Sequence, residues 1–150
     1  CIVDTSGPAL QALKGKHAYM IKPNIGELCK MLNVEWLDKA EVPDAAQQAI
    51  MDGYAEVMAI SMGPVGAWIV TKDKRYFCEA PKVEKRSTVG AGDSMVAGIT
   101  YMLQRERSLR EAIRFGVACG SAATMNDGTQ LFKQEDAARL FEQINAAHGN

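Results

Sequence analysis

The residues best placed to do chemistry lie in Ser87-Thr88-Val89-Gly90-Ala91-Gly92-Asp93-Ser94. Two glycines one residue apart let backbone bend and approach a ligand closely. Beyond Asp93, the apolar residues Met95, Val96, Ile99, Met102 and Leu103 recur at helical spacing. A turn of this kind running into a helix presents free N–H groups and the positive helix end to one point, which makes an anion site. Asp93 stands beside it. A carboxylate there repels the anion unless it has work to do, and the natural work is taking the proton of a hydroxyl that attacks a phosphoryl group. An ordinary helix start also tolerates an acid in its first turn, worth about 0.3–1 kcal/mol.

Two further stretches weigh against that plainer reading. In Lys22-Pro23-Asn24-Ile25-Gly26-Glu27, Asn24 is a good N-cap and Glu27 falls where a capping-box partner belongs. The same pair at the end of a strand can also face a metal–phosphate cluster, since open α/β sheets bind ligands at their strands' carboxyl ends. Ser61-Met62-Gly63-Pro64-Val65-Gly66 is a glycine-flanked turn that allows close approach to a nucleotide. Lys82 to Arg86 carries three basic residues just ahead of the anion turn, placing Lys85 or Arg86 within reach of a polyphosphate.

The elements that must position these residues alternate. Strands are expected at Cys1–Asp4, Ala18–Ile21 and Val57–Ser61, with antiparallel partners at Ala67–Thr71 and Arg75–Glu79. Helices are expected at 8–13, from Asn24 to about Asn33, at 42–54, after Asp93, after a Ser108–Glu111 capping box, and at 134–147. The helix after Ser108 is lined by Ala112, Phe115, Val117, Ala118, Ala122 and Ala123, which suits close packing or a ligand lying against it. Ala137, Leu140, Phe141 and Ile144 form the buried stripe of the last helix. Strands alternating with helices in the first half imply an α/β sheet with parallel pairing and a two-strand antiparallel edge.

Bulk properties narrow the class. At 150 residues, 47% hydrophobic and 23% charged, the chain suits a single globular domain. A net charge of −1 argues against nucleic acid or an anionic membrane as the main partner. No apolar run approaches the roughly 20 residues of a membrane span, and no signal-peptide layout opens the chain. Cys1, Cys29, Cys78 and Cys119 form no C-x-x-C pair, so they read as reduced apolar fillers of a cytoplasmic protein. His17 and His148 read as surface residues.

Taken together, Gly90-Ala91-Gly92-Asp93, Lys22-Pro23-Asn24 with Glu27, Ser61 to Ala67, and Gly116 to Gly128 resemble the PfkB, or ribokinase-like, carbohydrate kinase family. The wording Ser-Thr-Val-Gly-Ala-Gly-Asp-Ser-Met and Gly-Ser-Ala-Ala-Thr is most similar to its phosphosugar branch, the bacterial minor-type 6-phosphofructokinases. Tagatose-6-phosphate kinase and 1-phosphofructokinase have related wording. The resemblance implies a ribokinase-like three-layer α/β/α sandwich, of which these residues are the C-terminal, nucleotide-binding portion. It implies ATP, Mg²⁺ and K⁺ as cofactors. Asp93 is then the base, and the N–H groups of Gly90, Ala91, Gly92 and Asp93 stabilise the transferring phosphoryl group. Glu27 and Asn24 orient Mg²⁺ through water. Lys22, Ser61, Gly63 and Gly66 line the ATP site, with Val117 and Ser121 on the adenine side; Lys85 joins them through its place just ahead of the anion turn. Oxygens of Ser87, Val89, Ala123, Asn126 and Gly128 hold the monovalent cation. Gln130 stands where close relatives carry a basic residue, so the chain departs from the pattern at that corner.

The family's N-terminal half, with its lid and most of its sugar contacts, has no counterpart here, and Cys1-Ile2-Val3-Asp4 reads as a strand already under way. The expectation is therefore a piece of a longer kinase, inactive by itself and prone to associate through its cut sheet edge. The parent is expected to be a homodimer that phosphorylates fructose 6-phosphate. A non-catalytic nucleotide-binding module is the alternative of a different class. A dinucleotide-binding oxidoreductase is weaker, because the turn lacks the third glycine of that fingerprint.

Overall fold

The structure is a computed structural model that describes residues 2–5, 7–127 and 132–148. Cys1, Gly128 and Gln130 lie outside the described residues. The chain divides into two compact units: 1–62 with 68–77, and 63–67 with 78–150.

In the first unit, β1 (Ile2–Val3), β2 (Ala18–Ile21) and β3 (Ala55–Ser61) pair in parallel. The register sets Val3 opposite Ile21 and Met20 opposite Val57. The sheet continues in the order β1-β2-β3-β4-β5 through β4 (Gly66–Val70) and β5 (Arg75–Glu79). Residues 62–65 and 71–74 are the only chain joining β3 to β4 and β4 to β5, a length that permits antiparallel neighbours but no parallel crossover. β2 and β3 are buried almost continuously, as strands covered on both faces must be. Met20, Ile21, Met58 and Ile60 are at or below 1% exposure, and each contributes about 1.5–3 kcal/mol by leaving water.

Short helix α1 (Gly7–Gln11) leads to β2, and α2 (Ile25–Met31) leaves it. α2 closes at Asn33, whose φ of 56° is left-handed, as Val34 N–H reaches back to the Cys29 carbonyl at 2.9 Å. α3 (Val42–Met51) buries Val42, Ala46, Ala49 and Ile50. It stops short of the Tyr54 end that its apolar spacing implies. Gly53 adopts φ 88°, its N–H bonds the Ile50 carbonyl, and Tyr54 N–H bonds the Ala49 carbonyl. That Schellman closure ends the helix, and Tyr54 is buried beyond it with its hydroxyl donating to the Met31 carbonyl at 3.4 Å.

The second unit carries α4 (Ala91–Gln104), α5 (Leu109–Thr124) and α6 (Gln134–His148). α4 and α5 pack through glycine. A Cβ on Gly98 would stand 2.8 Å from Cys119 Sγ, and one on Gly116 would stand 2.6 Å from Ile99 Cγ1. The small residues of α5 therefore serve helix-to-helix packing. Phe115 meets Phe141 edge-on at 5.2 Å and Tyr101 at 5.5 Å, tying α6 and α4 to α5. Half of the capping box expected at Ser108 forms. Ser108 Oγ accepts the Glu111 N–H at 3.1 Å, but the Glu111 carboxylate pairs with Arg107 at 3.9 Å instead of returning to the cap.

Candidate active site

Within the first unit, the carboxyl ends of the parallel strands gather four polar residues. Asn24 and Ser61 form a parallel bridge beyond β2 and β3, and Ser61 N–H bonds the Pro23 carbonyl at 3.2 Å. Asn24 caps α2 in a complete box: its Oδ1 accepts the Glu27 N–H at 2.8 Å, and Glu27 Oε1 accepts the Asn24 N–H at 3.0 Å. The capping and ligand-facing readings are therefore compatible, because only one oxygen of the Glu27 carboxylate is engaged. Lys22 is 8% exposed and stands 3.9 Å from Asp4.

Within the second unit, the turn before α4 has the form its glycines suggest. Gly90 is left-handed, with φ 80°, and no side chain caps the helix. Ser94 N–H bonds the Gly90 carbonyl at 2.9 Å. Ala91 N–H makes a long 3.3 Å bond to the Thr88 carbonyl, so this donor is partly spent within the turn. The N–H groups of Gly90, Gly92 and Asp93 have no acceptor among the described residues. Asp93 is exposed in the first turn. Open donors at the positive end of a 14-residue helix can hold an anion, and an exposed carboxylate among them can take a proton.

The segment ahead of the turn is anchored to the end of α5. The Thr124 carbonyl accepts the N–H groups of Arg86 (2.7 Å) and Ser87 (3.1 Å), and Arg86 pairs with Asp127 at 3.5 Å. Ser87 Oγ accepts the Val89 N–H at 3.2 Å. Ser87 is thus brought to the helix end that carries Ala123 and Asn126. Asn126 is a 7% exposed polar residue, and its N–H bonds the Ala123 carbonyl at 3.3 Å. A helix end rich in carbonyls is suited to a cation. Val89 is 53% exposed. Lys85 is exposed, Ser121 half-buried, and Val117 lies in the core at 2%.

The two glycines of the Ser61–Gly66 turn differ. Gly63 has φ 60° and open space where a Cβ would lie. At Gly66, a Cβ would meet the Cys78 carbonyl at 2.0 Å, so the chain's own backbone demands that glycine. Among the described residues, no three His, Cys, Asp or Glu side chains cluster as metal ligands.

A family profile described as pfkB family carbohydrate kinase matches residues 1–136. The chain belongs to that family. It is 42% identical over 145 residues to the ATP-dependent 6-phosphofructokinase isozyme 2 of Escherichia coli, covering 96% of this chain and 47% of that protein. It is 33% identical over 144 residues to the 1-phosphofructokinase of Borreliella burgdorferi, covering 95% and 46%. The crystal structure of Escherichia coli phosphofructokinase-2 in complex with potassium matches with a TM-score of 0.92 at 41% identity, over 97% of this chain and 47% of that one. Another structure of that protein is its tetrameric inhibited form. The pfkB chain described here thus spans about half the length of the curated relatives it matches. Its α/β fold is ribokinase-like, as its sequence implies. No described helix is long and apolar enough to cross a membrane.

The sequence reading passed over Asp4, the residue paired with Lys22. Its signal was its place at the end of β1, one step beyond the pair Val3–Ile21.

Proposed function

We propose that this chain is the phosphoryl-transfer portion of an ATP-dependent sugar-phosphate kinase, converting fructose 6-phosphate to fructose 1,6-bisphosphate in glycolysis. The observation that carries this reading is the uncapped start of α4, with open N–H groups and an exposed Asp93 in the same turn. Asp93 takes the hydroxyl proton as the sugar oxygen bonds the γ-phosphorus; the bond from that phosphorus to the bridging oxygen breaks, and ADP leaves. The N–H groups of Gly90, Gly92 and Asp93 hold the charge that builds on the transferring group, with Ala91 contributing once its turn bond gives way.

In the first unit, Lys22, Asn24, Glu27 and Ser61 serve the nucleotide's phosphates, and Glu27 with Asn24 orients Mg²⁺. Bound magnesium supplies charge neutralisation on the phosphate oxygens. In the second unit, Gly63, Lys85 and Ser121 line the ATP site, with Gly66 and the core residue Val117 supporting it from behind, while Ser87, Val89, Ala123 and Asn126 would supply oxygens for K⁺. Gly128 belongs to the same set by resemblance. A cytoplasmic homo-oligomer goes with this reading, with a homodimer as its unit. Likeness to a 1-phosphofructokinase favours fructose 1-phosphate as the second acceptor to test, and tagatose 6-phosphate is the third. This chain by itself is expected to turn over none of them, because the resemblance puts the sugar contacts in the family's other half.

The test is Asp93→Asn in the intact protein that carries this chain. Its kcat for ATP-dependent phosphorylation should fall about 10²–10⁴-fold, while its MgATP Kd stays within about threefold. Retention of about a tenth or more of the turnover would remove Asp93 from the base's role. An intact protein that binds MgATP and phosphorylates none of the three sugars would instead be a binding module.

A further inference from the structure

Lys22 is a buried cation held by an acid at the end of the neighbouring strand. It follows β2 and is 8% exposed, a costly place for an ammonium that lacks a counter-charge. β1 and β2 are parallel, with Val3 opposite Ile21. The next residues across the two strand ends are Asp4 and Lys22. Lys22 Nζ stands 3.9 Å from Asp4 Oδ1, and the Asp4 side chain is 35% exposed. Among the described residues, Asp4 is the only carboxylate paired with Lys22. At 3.9 Å the pair is electrostatic and lies beyond hydrogen-bond reach. The ammonium's three donors therefore remain available to a second anion. The pair sits at the same strand ends as Asn24, Glu27 and Ser61, where open α/β sheets take their ligands.

We infer that Asp4 is a positioning residue for nucleotide binding. It parks the Lys22 ammonium at the strand ends, loosely enough for that ammonium to turn to a phosphate oxygen of ATP. This rests on the kinase reading above, which places Lys22 at the nucleotide's phosphates. Asp4 acts on the nucleotide through Lys22. Its loss should therefore mimic loss of the lysine, and its charge, more than its length, should matter.

The test is a double-mutant cycle in the intact protein, with Asp4→Asn, Lys22→Met and the pair. Each single variant should raise KM for MgATP about tenfold, and the pair should be no worse than the worse single variant. KM for the sugar phosphate and the Mg²⁺ requirement should not move, and Asp4→Glu should recover most of the loss. Additive effects, equal shifts in both KM values, or an unchanged MgATP KM in Asp4→Asn would overturn the inference. So would a Mg²⁺ requirement raised by Asp4→Asn and not by Lys22→Met, since that would make Asp4 a metal partner. If Asp4→Asn strands a buried charge and fails to fold, Lys22→Met is compared with the pair, from which both charges are gone. Equal MgATP KM values then support the inference, and a further loss in the pair overturns it. Failure of the kinase reading shows separately, as an intact wild-type protein without turnover.

Discussion

Helices α2 and α4 begin in opposite ways, one in each unit. α2 is closed by side chains: Asn24 and Glu27 exchange bonds in a full capping box. α4 begins on a left-handed glycine with no side-chain cap, leaving N–H groups open at its start. A cap satisfies donors that would otherwise seek a ligand. A helix start left open must be held in place some other way. For α4 that support is close packing, with Gly98 and Gly116 letting it lie against α5 without room for a Cβ. The comparison separates two means of fixing a helix, and only one leaves the donors available.

Asp93→Asn is the largest effect expected at the open start, because it removes the group for which that start is arranged. Gly116→Val attacks the packing that supports it. The new side chain must displace Ile99, whose Cγ1 already lies 2.6 Å from the position of a Cβ, and overpacking of this kind costs about 1–3 kcal/mol. Urea midpoints should fall accordingly, and MgATP binding should weaken as the helix start shifts. A variant of full stability would show that the contact gives easily and that something else holds α4.

Gly90→Ala leaves space untouched, since nothing lies within 4 Å of the new Cβ. Its cost is the left-handed backbone, about 1–2 kcal/mol. A urea midpoint unchanged from wild type would mean the turn does not need that conformation. At the closed start, Asn24→Ala should cost ~1 kcal/mol, within the usual range for a lost N-cap. Ser108→Ala, where half a box forms, should cost no more. Equal stability of Asn24→Ala and wild type would show that the box is incidental to α2 and would shift its weight toward ligand binding.

The smallest effect concerns the thiols in the second unit. Burial raises Cys119 from 9.0 to about 12. Burial likewise raises Cys78 from 9.0 to about 12, with Arg114 opposing and Glu79 adding to the shift. The folded state holds these protons after the unfolded state has released them. Their stabilising contribution is therefore intact below pH 9.0 and is lost as pH climbs toward about 12. Native protein at pH 8 should resist alkylation at both positions while denatured protein reacts. Fast native labelling of Cys119 would show that the α4–α5 contact opens readily.

Much of this was legible in the residues themselves. The strands Ala18–Ile21 and Arg75–Glu79 follow from their composition and turn signals. The Asn24–Glu27 box is a local matter of four residues, and it forms as its spacing says. The end of α3 was harder, because Tyr54 keeps helical spacing while a left-handed Gly53 carries it out of the helix. At Ser108 the local signal was incomplete, since Arg107 competes for the Glu111 carboxylate.

The sequence by itself determined the order of strands and helices, the family, and the glycine turn that opens α4. These depend on short-range periodicity and on backbone freedom that neighbouring residues set. Tertiary structure alone decided why Gly66 must be glycine, which donors of the turn stay open, and that Asp4 partners Lys22. Those depend on atoms far apart in the chain: the Cys78 carbonyl 2.0 Å from a would-be Cβ, the Thr124 carbonyl gathering Arg86 and Ser87, and two strand ends brought side by side.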